Sequence, residues 1–345
     1  MSFTPIEPDA PIWDAFVEAR GGHILQTAAW GAHKRRFGWS DRLVALARDG
    51  QIAAGALLLV RRLPLRLGAL AYVPRGPLVD WDDEAAVQAL VAALDSAARK
   101  QGAVALKLEP DVPDISAMQS RLLALGFRPS AHAIQPPRTI VIDITGSEQD
   151  ILARMNQGTR RKVRTPERKD VNVREGGPAD LASFNAMMQT TGARNTFGVH
   201  SPEYFNTAYE LFAPHNQVVL LMASHAGRDI AGIMVFAVGR RAWYLYGASS
   251  DEERSRMPTY GLQWAAIQWA RARGCTEYDL WGIPDTDEAD LEAHFESRSD
   301  GLWGVYGFKR GFGGQVVRAV GPWDRVYAPL RYRVYALAAA ARTGD

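Results

Sequence analysis

The chain repeats one order of structural elements, and this repetition limits its folds more than any single motif does. Residues 50–110 contain GQIAAGALLLV, LAYVPRGPLV and a helix-period stretch ending ARKQGAVALKLEP. Residues 227–284 contain GRDIAGIMVFAV, RAWYLYGASS and a stretch ending ARARGCTEYDLWGIP. Each copy predicts a hairpin, a strand, a long loop, a helix closed by glycine (Gly102, Gly274) and a final strand. The unit is too long for a solenoid repeat, so the pattern predicts two fused modules of one kind.

Composition restricts the class of protein further. The chain has 345 residues, of which 47% are hydrophobic, and this is enough for two cores of ordinary size. The formal net charge is only +2, so binding to a polyanion requires local clusters of positive charge. The single Cys275 excludes an internal disulfide framework and indicates a reducing compartment.

The sequence shows no signal for membrane insertion or export. Its N-terminus is acidic and lacks an apolar signal-peptide core. No stretch approaches the roughly 18 uncharged apolar residues that span a bilayer. We therefore expect a cytoplasmic protein, for which peripheral contact with the inner membrane face stays open.

We place the boundary between the modules near Gly146. Ser147 and Asp150 form a capping signature that predicts the start of a helix. The strand in QPPRTIVIDIT is assigned to the first module. The expected domains are residues 1–146, to which 317–345 return, and residues 147–316.

The repeated order of elements is also found in acetyltransferases of the GNAT type. In those enzymes a glycine-rich loop and the following helix N-terminus hold the pyrophosphate of acetyl-CoA. Here the equivalent loops are PRGPLVDWDDEAA and ASSDEERSRMPTYG, and neither has that glycine spacing. The first places four carboxylates where phosphates would lie (Asp80, Asp82, Asp83, Glu84). We interpret the scaffold as an acyltransferase that has lost its CoA site.

A further set of segments is recognisable along the chain. In the second half these segments are TRRKV, ARNTFGVHSPEYF, YLYGASS, YGLQWAAIQWARARGCTEYDLWGIP and GVYGFKRGFGG; in the first half they are LQTAAWGAHK and KLEP. Taken in this order, they are similar to the FemABX family of peptidoglycan peptidyltransferases. The resemblance implies an α/β (α+β) fold of two tandem GNAT-like domains with mixed, mostly antiparallel sheets. It also implies the compact, FemX-like form, in which the C-terminal helix packs back on domain 1. The alternative for this amphipathic segment is a position on a membrane interface.

The resemblance further implies a function. It predicts transfer of an amino acid from aminoacyl-tRNA to the side-chain amine of the third stem-peptide residue of a peptidoglycan precursor. That precursor would be lipid II or UDP-MurNAc-pentapeptide. No metal and no cofactor are expected, since the histidines and the cysteine show no ligand spacing. Two alternatives stay open: an N-acyltransferase with another acyl donor, such as acyl-CoA, and a non-catalytic precursor-binding protein.

Aminolysis of an ester requires a free amine and a stabilised oxyanion. In FKRGF, Lys309 is the candidate for oxyanion stabilisation, and glycines beside it would let substrate approach. The resemblance implies that the Phe308 carbonyl orients the attacking amine. Glu109 would position that amine or accept its proton. The alternatives are a solvated Lys309 on an edge strand, a turn role for Glu109, and a buried structural role for Asp279.

Other residues are candidates for substrate binding. The resemblance assigns Lys34 and Arg194 to the diphosphate and stem of the precursor, with Arg194 in a loop. Tyr246 is expected to contact substrate, and Tyr244, two residues away on the same face, to do so or to lie in the core. A solvated helix face is the alternative for Lys34.

A basic run marks the start of the second module. Its expected role is contact with the tRNA backbone, which would depend on salt. The alternative is a solvated helix face. Pro166 should interrupt the helix through this run. The residues assigned to tRNA are Arg160, Arg161, Lys162 and Arg164.

Overall fold

The computed structural model describes residues 3–195, 199–250 and 252–343, and the described chain divides into two compact units. Unit 1 contains the residues up to Pro137 and those from Arg318 onward, and unit 2 runs from Arg138 to Val317. Each unit is built around its own seven-stranded sheet. Within the described ranges, no helix combines the length and apolarity that crossing a bilayer requires.

Unit 1 has the strand order β1-β2-β3-β4-β5-β14-β6. Its helices are α1 (Ala10–Ala19), α2 (Ala28–Arg35), α3 (Glu84–Lys100), α4 (Ser116–Ala124) and α13 (Pro329–Thr343). Its strands are β1 (Thr4–Ile6), β2 (Ser40–Arg48), β3 (Gln51–Arg62), β4 (Ala69–Pro74), β5 (Ala103–Glu109), β6 (Arg128–Pro129) and β14 (Trp323–Val326).

Unit 2 has the strand order β13-β7-β12-β11-β10-β9-β8. Its helices are α5 (Glu148–Arg154), α6 (Gln157–Val163), α7 (Thr165–Arg168), α8 (Leu181–Asn195), α9 (Pro202–Phe212), α10 (Pro258–Ala272), α11 (Glu288–His294) and α12 (Trp303–Lys309). Its strands are β7 (Arg138–Asp143), β8 (Asn172–Gly176), β9 (Val218–His225), β10 (Arg228–Val238), β11 (Arg241–Ser249), β12 (Glu277–Gly282) and β13 (Gln315–Arg318).

The predicted duplication is confirmed in three dimensions. In each unit a long helix connects two parallel strands, α3 between β4 and β5 and α10 between β11 and β12, while the pairs on either side are antiparallel. Both helices are followed by a glycine with positive φ, 69° at Gly102 and 82° at Gly274. A side chain in that left-handed conformation would be strained, so glycine ends each helix and lets the next strand begin. The predicted fold class, two GNAT-like modules with mixed sheets, is therefore correct.

The predicted boundary between the modules needs a correction. β7 pairs with β12, with Asp143 opposite Glu277 and Ile142 opposite Tyr278, so this strand belongs to unit 2. The boundary lies between Pro137 and Arg138, because β7 completes the second sheet rather than the first. The capping signature is correct, since Ser147 and Asp150 form a capping box at the start of α5.

The C-terminal segment returns to unit 1, as predicted. β14 pairs with β5 on one side and β6 on the other. Inside this sheet Lys107 and Asp324, each with a side chain 1% exposed, form an ion pair of 3.0 Å. The Tyr332 hydroxyl on α13 donates to the other Asp324 oxygen at 2.6 Å. The helix is thus fixed to the core of unit 1 by a buried polar network.

Candidate active site in the second unit

The parallel strands β11 and β12 of unit 2 separate partway along their length. Their pairing ends with Trp243 opposite Asp279, although β11 continues to Ser249 and β12 to Gly282. At the end of β12, Trp281 has a left-handed φ of 65°, and the register with β7 shifts between Asp279 and Gly282. β12 therefore loses its pairing with β11 after Asp279 but stays paired with β7 at Gly282, and the two parallel strands are split.

The corresponding strands of unit 1 show no such split. β4 and β5 stay paired to their ends, where Pro74 lies opposite Glu109. The N-terminus of α3, the helix after β4, is capped by a side chain: the Asp83 carboxylate accepts a hydrogen bond from the Ala86 amide at 3.0 Å. A carboxylate at the N-terminus of α3 excludes a phosphate from the same amides. In unit 2, by contrast, no described side chain caps α10, which begins at Pro258.

Lys309 lies at the split in unit 2. The residue is 5% exposed, and its Nζ donates to the Gly282 carbonyl oxygen at 2.7 Å. The ammonium is 5.9 Å from the centre of the Tyr244 ring. Burial lowers the pKa of Lys309 to about 7, against the opposing effect of the Asp279 carboxylate. A poorly hydrated ammonium held in this way can stabilise a developing oxyanion, and the alternative of a solvated lysine is wrong.

The FKRGF motif is helical, so the edge strand that the alternative assigned to Lys309 is also wrong. Phe308 and Lys309 end α12, and a single 3-10 turn follows from Arg310 to Phe312. A Cβ on Gly311 would lie 2.1 Å from Thr159 Oγ1. This glycine therefore allows close packing of the motif against α6, and the expectation that it admits substrate is wrong.

The side chain of Phe308 belongs to an aromatic cluster. Its ring is 4.8 Å from that of Tyr260 and 5.2 Å from that of Phe312, in edge-to-face geometry. Lys162 joins this cluster, with Nζ 5.1 Å from the Tyr260 ring centre and 3.3 Å from its hydroxyl. The basic run and the FKRGF motif are therefore connected through Tyr260, the third residue of α10.

The two candidate tyrosines lie on opposite faces of the sheet, although the sequence analysis placed them on one face. A bulge in β11 places Tyr246 opposite Met234 and Tyr244 opposite Val235. Tyr244 packs against the core face with Lys309, while the Tyr246 ring lies 5.1 Å from Phe205 on α9. Of this pair, the structure brings Tyr244 to Lys309. Burial raises the pKa of Tyr244 to about 12, so its phenol stays protonated at neutral pH.

The basic run divides into residues with different roles. Arg160 donates to the carbonyl oxygens of Ala153 (3.1 Å) and Met155 (2.6 Å), and so closes the end of α5. Arg161 and Arg164 are exposed. The prediction that Pro166 interrupts the helix is correct, since α6 ends at Val163 and α7 starts at Thr165. Arg160 therefore has a structural role, whereas the exposed arginines remain available to a polyanion.

Glu109 lies in unit 1, buried at the end of β5. Its carboxylate accepts hydrogen bonds from the Tyr72 hydroxyl and from the amides of Ile134 and Gln135. Burial raises the pKa of Glu109, and these donors oppose the rise. This network gives Glu109 a structural role in fixing the 134–135 segment to the sheet.

Lys34 also lies in unit 1, on the last turn of α2. Its Nζ is 5.6 Å from the Trp30 ring centre and 6.0 Å from that of Trp39. Burial, and then the positive charge of Arg61, lowers the pKa of Lys34 to about 8. The alternative of a fully solvated helix face is therefore wrong for this residue.

Arg194 lies within α8, so the prediction of a loop is wrong. Its side chain lies outside the described residues. Toward the N-terminus of α8, residues of α8 and α9 line a groove of about 670 Å³, with Asn185 and Asn206 among them. Both helices cover the Tyr246 face of the sheet, so this groove is not part of the Lys309 site.

Two parts of the site had little or no signal in the sequence. The Gly282 carbonyl that accepts the hydrogen bond from Lys309 is a backbone group. Such a group is present at every position, so the residue type does not identify it. Gly247 allows Tyr244 to lie across its own strand, because a Cβ there would be 2.0 Å from the Tyr244 hydroxyl oxygen. The sequence signal for this contact is the glycine in YLYGAS.

The sequence of the chain matches known proteins along most of its length. The model of the FemAB family matches residues 11–120, 125–227 and 222–340. The chain is 27% identical to the lipid II:glycine glycyltransferase of Staphylococcus saprophyticus and 26% identical to that of Staphylococcus aureus. These matches cover 92% and 93% of this chain and 92% of each relative.

Solved structures show the same fold. The crystal structure of FemX matches with a TM-score of 0.87 and 23% identity, over 96% of this chain and 100% of that one. A tandem GNAT protein from the clavulanic acid biosynthesis pathway matches with a TM-score of 0.56 and 13% identity, over 94% of this chain and 97% of that one. From the match of the family model along most of its length, the chain belongs to the FemAB family.

Proposed function

We propose that this protein is an aminoacyltransferase of peptidoglycan bridge synthesis. It transfers an amino acid from aminoacyl-tRNA onto the side-chain amine of the third stem-peptide residue of a precursor, lipid II or UDP-MurNAc-pentapeptide. The relatives named above are lipid II:glycine glycyltransferases. The observation that carries the proposal is the buried Lys309 ammonium at the split between β11 and β12 of unit 2.

The proposed step is the aminolysis of an ester. The acceptor amine attacks the carbonyl carbon, the carbon–nitrogen bond forms, and the carbonyl oxygen becomes an oxyanion. The oxyanion then collapses, the bond to the ribose oxygen breaks, and that oxygen leaves with a proton from the amine. Lys309 stabilises the negative charge while it exists, and its low hydration makes this interaction strong. The Phe308 carbonyl is proposed to orient the amine.

The units are proposed to divide the substrates. Unit 1 binds the acceptor precursor, with Lys34 on its anionic part, and unit 2 binds the tRNA through Arg161, Lys162 and Arg164. Arg194, Tyr244 and Tyr246 are proposed to contact the substrates. With a lipid-linked acceptor the protein works at the cytoplasmic face of the membrane.

One observation favours a second candidate, an N-acyltransferase that uses acyl-CoA. No described side chain caps the N-terminus of α10, and GNAT enzymes hold a pyrophosphate at the equivalent position. Titration calorimetry with acetyl-CoA separates the two candidates. The first predicts no binding, because the loop before α10 lacks the glycine run.

The test of the first candidate uses the full chain, aminoacyl-tRNA and each precursor. Mass spectrometry should show a precursor heavier by one or more amino-acid residues. Lys309→Met should lower turnover by about 10²- to 10³-fold with tRNA binding retained. Lys100→Met, at an exposed position on α3, is the matched control. No product from either precursor across several amino acids would refute the proposal.

A further inference from the structure

The outward side of helix α13 carries a stripe of exposed aliphatic side chains. Leu330, Val334 and Leu337 are 80%, 47% and 73% exposed. They are four and three residues apart, so they lie above one another along one side of the helix. The opposite side is fixed to unit 1, since the Tyr332 hydroxyl donates to the buried Asp324 at 2.6 Å. The stripe therefore faces away from the unit to which the helix belongs.

One arginine flanks the stripe on each side. Successive residues of an α-helix are about 100° apart, so Arg331 projects on one side of the stripe and Arg333 on the other. Both are exposed, and no hydrogen bond or ion pair joins either of them to another residue of the described chain. The sequence has no Asp or Glu between Asp324 and Asp345. The exposed side of α13 thus combines apolar and positively charged groups and contributes no carboxylate.

The turn between β3 and β4 presents the same combination at the same end of the sheet. The first residues of β4 and β5 lie opposite each other, and the Ala328 amide before α13 donates to the Val104 carbonyl at 3.1 Å. In the turn Leu65 is 88% exposed, and Leu65 and Arg66 have left-handed φ values of 55° and 56°. This conformation is strained for residues with a side chain, so the fold holds Leu65 in solvent at a cost. Residues 50–79 include no Asp or Glu.

We propose that the stripe of α13 and the turn between β3 and β4 form a docking surface for a membrane that contains anionic phospholipid. The aliphatic side chains enter the boundary between headgroups and acyl chains, and Arg66, Arg331 and Arg333 contact the lipid phosphates. A second copy of this chain fits less well, because two identical faces would bring like charges together. The surface rests on the proposed function only for its purpose, which is to hold the protein beside a lipid-linked precursor.

The test is sedimentation of the full chain with phosphatidylcholine vesicles, with and without phosphatidylglycerol. The wild type should bind the anionic vesicles, and binding should weaken as the salt concentration rises. Leu330→Ser and Leu337→Ser should each weaken binding about tenfold, because each removes an apolar side chain from the lipid. Arg331→Gln and Arg333→Gln should each weaken it about fivefold.

Leu123→Ser is the matched control. Leu123 is 55% exposed on α4, which packs into the core that contains Leu106, whereas α13 lies on the side of Lys107, the other face of β5. The affinity of this variant should equal that of the wild type. A polarity-sensitive dye attached to Leu330→Cys should shift to the blue when vesicles are added, and the same dye on Leu123→Cys should not. The natural Cys275 is buried, so the dye reports the new position.

Absence of wild-type binding to anionic vesicles, or equal binding by Leu330→Ser, would overturn the proposal. A wild-type dimer that Leu330→Ser converts to a monomer in sedimentation velocity without lipid would also overturn it, because the stripe would then be an interface between copies. Leu330→Ser should lower transfer to lipid II in vesicles and leave transfer to UDP-MurNAc-pentapeptide unchanged. Vesicle binding that depends on Leu330, in a protein with no aminoacyl transfer, would support the docking surface and refute the proposed function separately.

Discussion

Replacing Lys309 by methionine should stabilise the protein at low pH. This gain in stability should disappear at high pH. The pKa of this lysine moves from its ordinary 10.5 to about 7 on folding. Charged Lys309 is therefore disfavoured in the folded state relative to the unfolded state. This difference between the folded and the unfolded pKa corresponds to a loss of about 4 to 5 kcal/mol in the unfolding free energy of the wild type at pH values below the folded pKa. The hydrogen bond to Gly282 offsets about 1 kcal/mol of the methionine variant's gain.

The sign follows from proton binding. Between the folded and the unfolded pKa, the unfolded state binds more protons, so the stability of the wild type rises with pH. The destabilisation of the folded wild type by charged Lys309 is fully present below about pH 7 and is lost as the pH rises toward 10.5. Between about pH 6 and about pH 9 the advantage of Lys309→Met should shrink by about 2 to 3 kcal/mol.

The assay is urea unfolding of the full chain at the two pH values, followed by tryptophan fluorescence. The comparison is the difference in unfolding free energy between each variant and the wild type. Lys100→Met is the control, and its difference should not depend on pH because its side chain is exposed in both states. A Lys309→Met difference that is equally flat, or a variant less stable than the wild type at the lower pH, would refute the reasoning.

Four further predictions concern the same unit. The ratio of wild-type turnover to Lys309→Met turnover should fall as pH rises through about 7, because neutral Lys309 cannot stabilise an oxyanion whereas the acceptor amine titrates equally in both reactions; a ratio that does not change with pH would contradict this role. Gly247→Ala should displace Tyr244, whose hydroxyl would lie 2.0 Å from the new Cβ, and lower turnover in the same transfer assay; unchanged turnover would contradict the assigned position. Arg160→Met should cost about 1 to 3 kcal/mol in urea unfolding with little effect on tRNA affinity. Arg161→Met should leave stability unchanged and reduce the salt slope of tRNA binding by about one, and the reverse result would contradict the division of the basic run.

Much of the fold was predictable because local signals repeat. The buried face of α3 follows the period of its apolar residues, and all seven residues from Ala86 to Ala98 on that face are buried as the pattern predicts. The strand assigned to the wrong module shows the limit of such signals. An apolar run such as RTIVID identifies a strand but not its partner, and pairing with β12 depends on contacts far away in sequence.

The site was less predictable for physical reasons of its own. The sequence indicated Lys309, but its helix, its burial and its backbone partner depend on a split between two strands. The sides of the sheet on which Tyr244 and Tyr246 lie depend on a bulge, and a strict alternation rule misses any inserted residue.

The position of β14 between β5 and β6 has a consequence for the order of folding during synthesis. Unit 2 is one continuous stretch of chain, so all of it has emerged from the ribosome while unit 1 still lacks β14, its last strand in chain order. Until that strand arrives, the lysine at position 107 has no carboxylate from Asp324 beside it. The half of the protein that is translated first is therefore the half that is completed last. A chain truncated before β14 should contain a folded unit 2 and an incompletely folded unit 1.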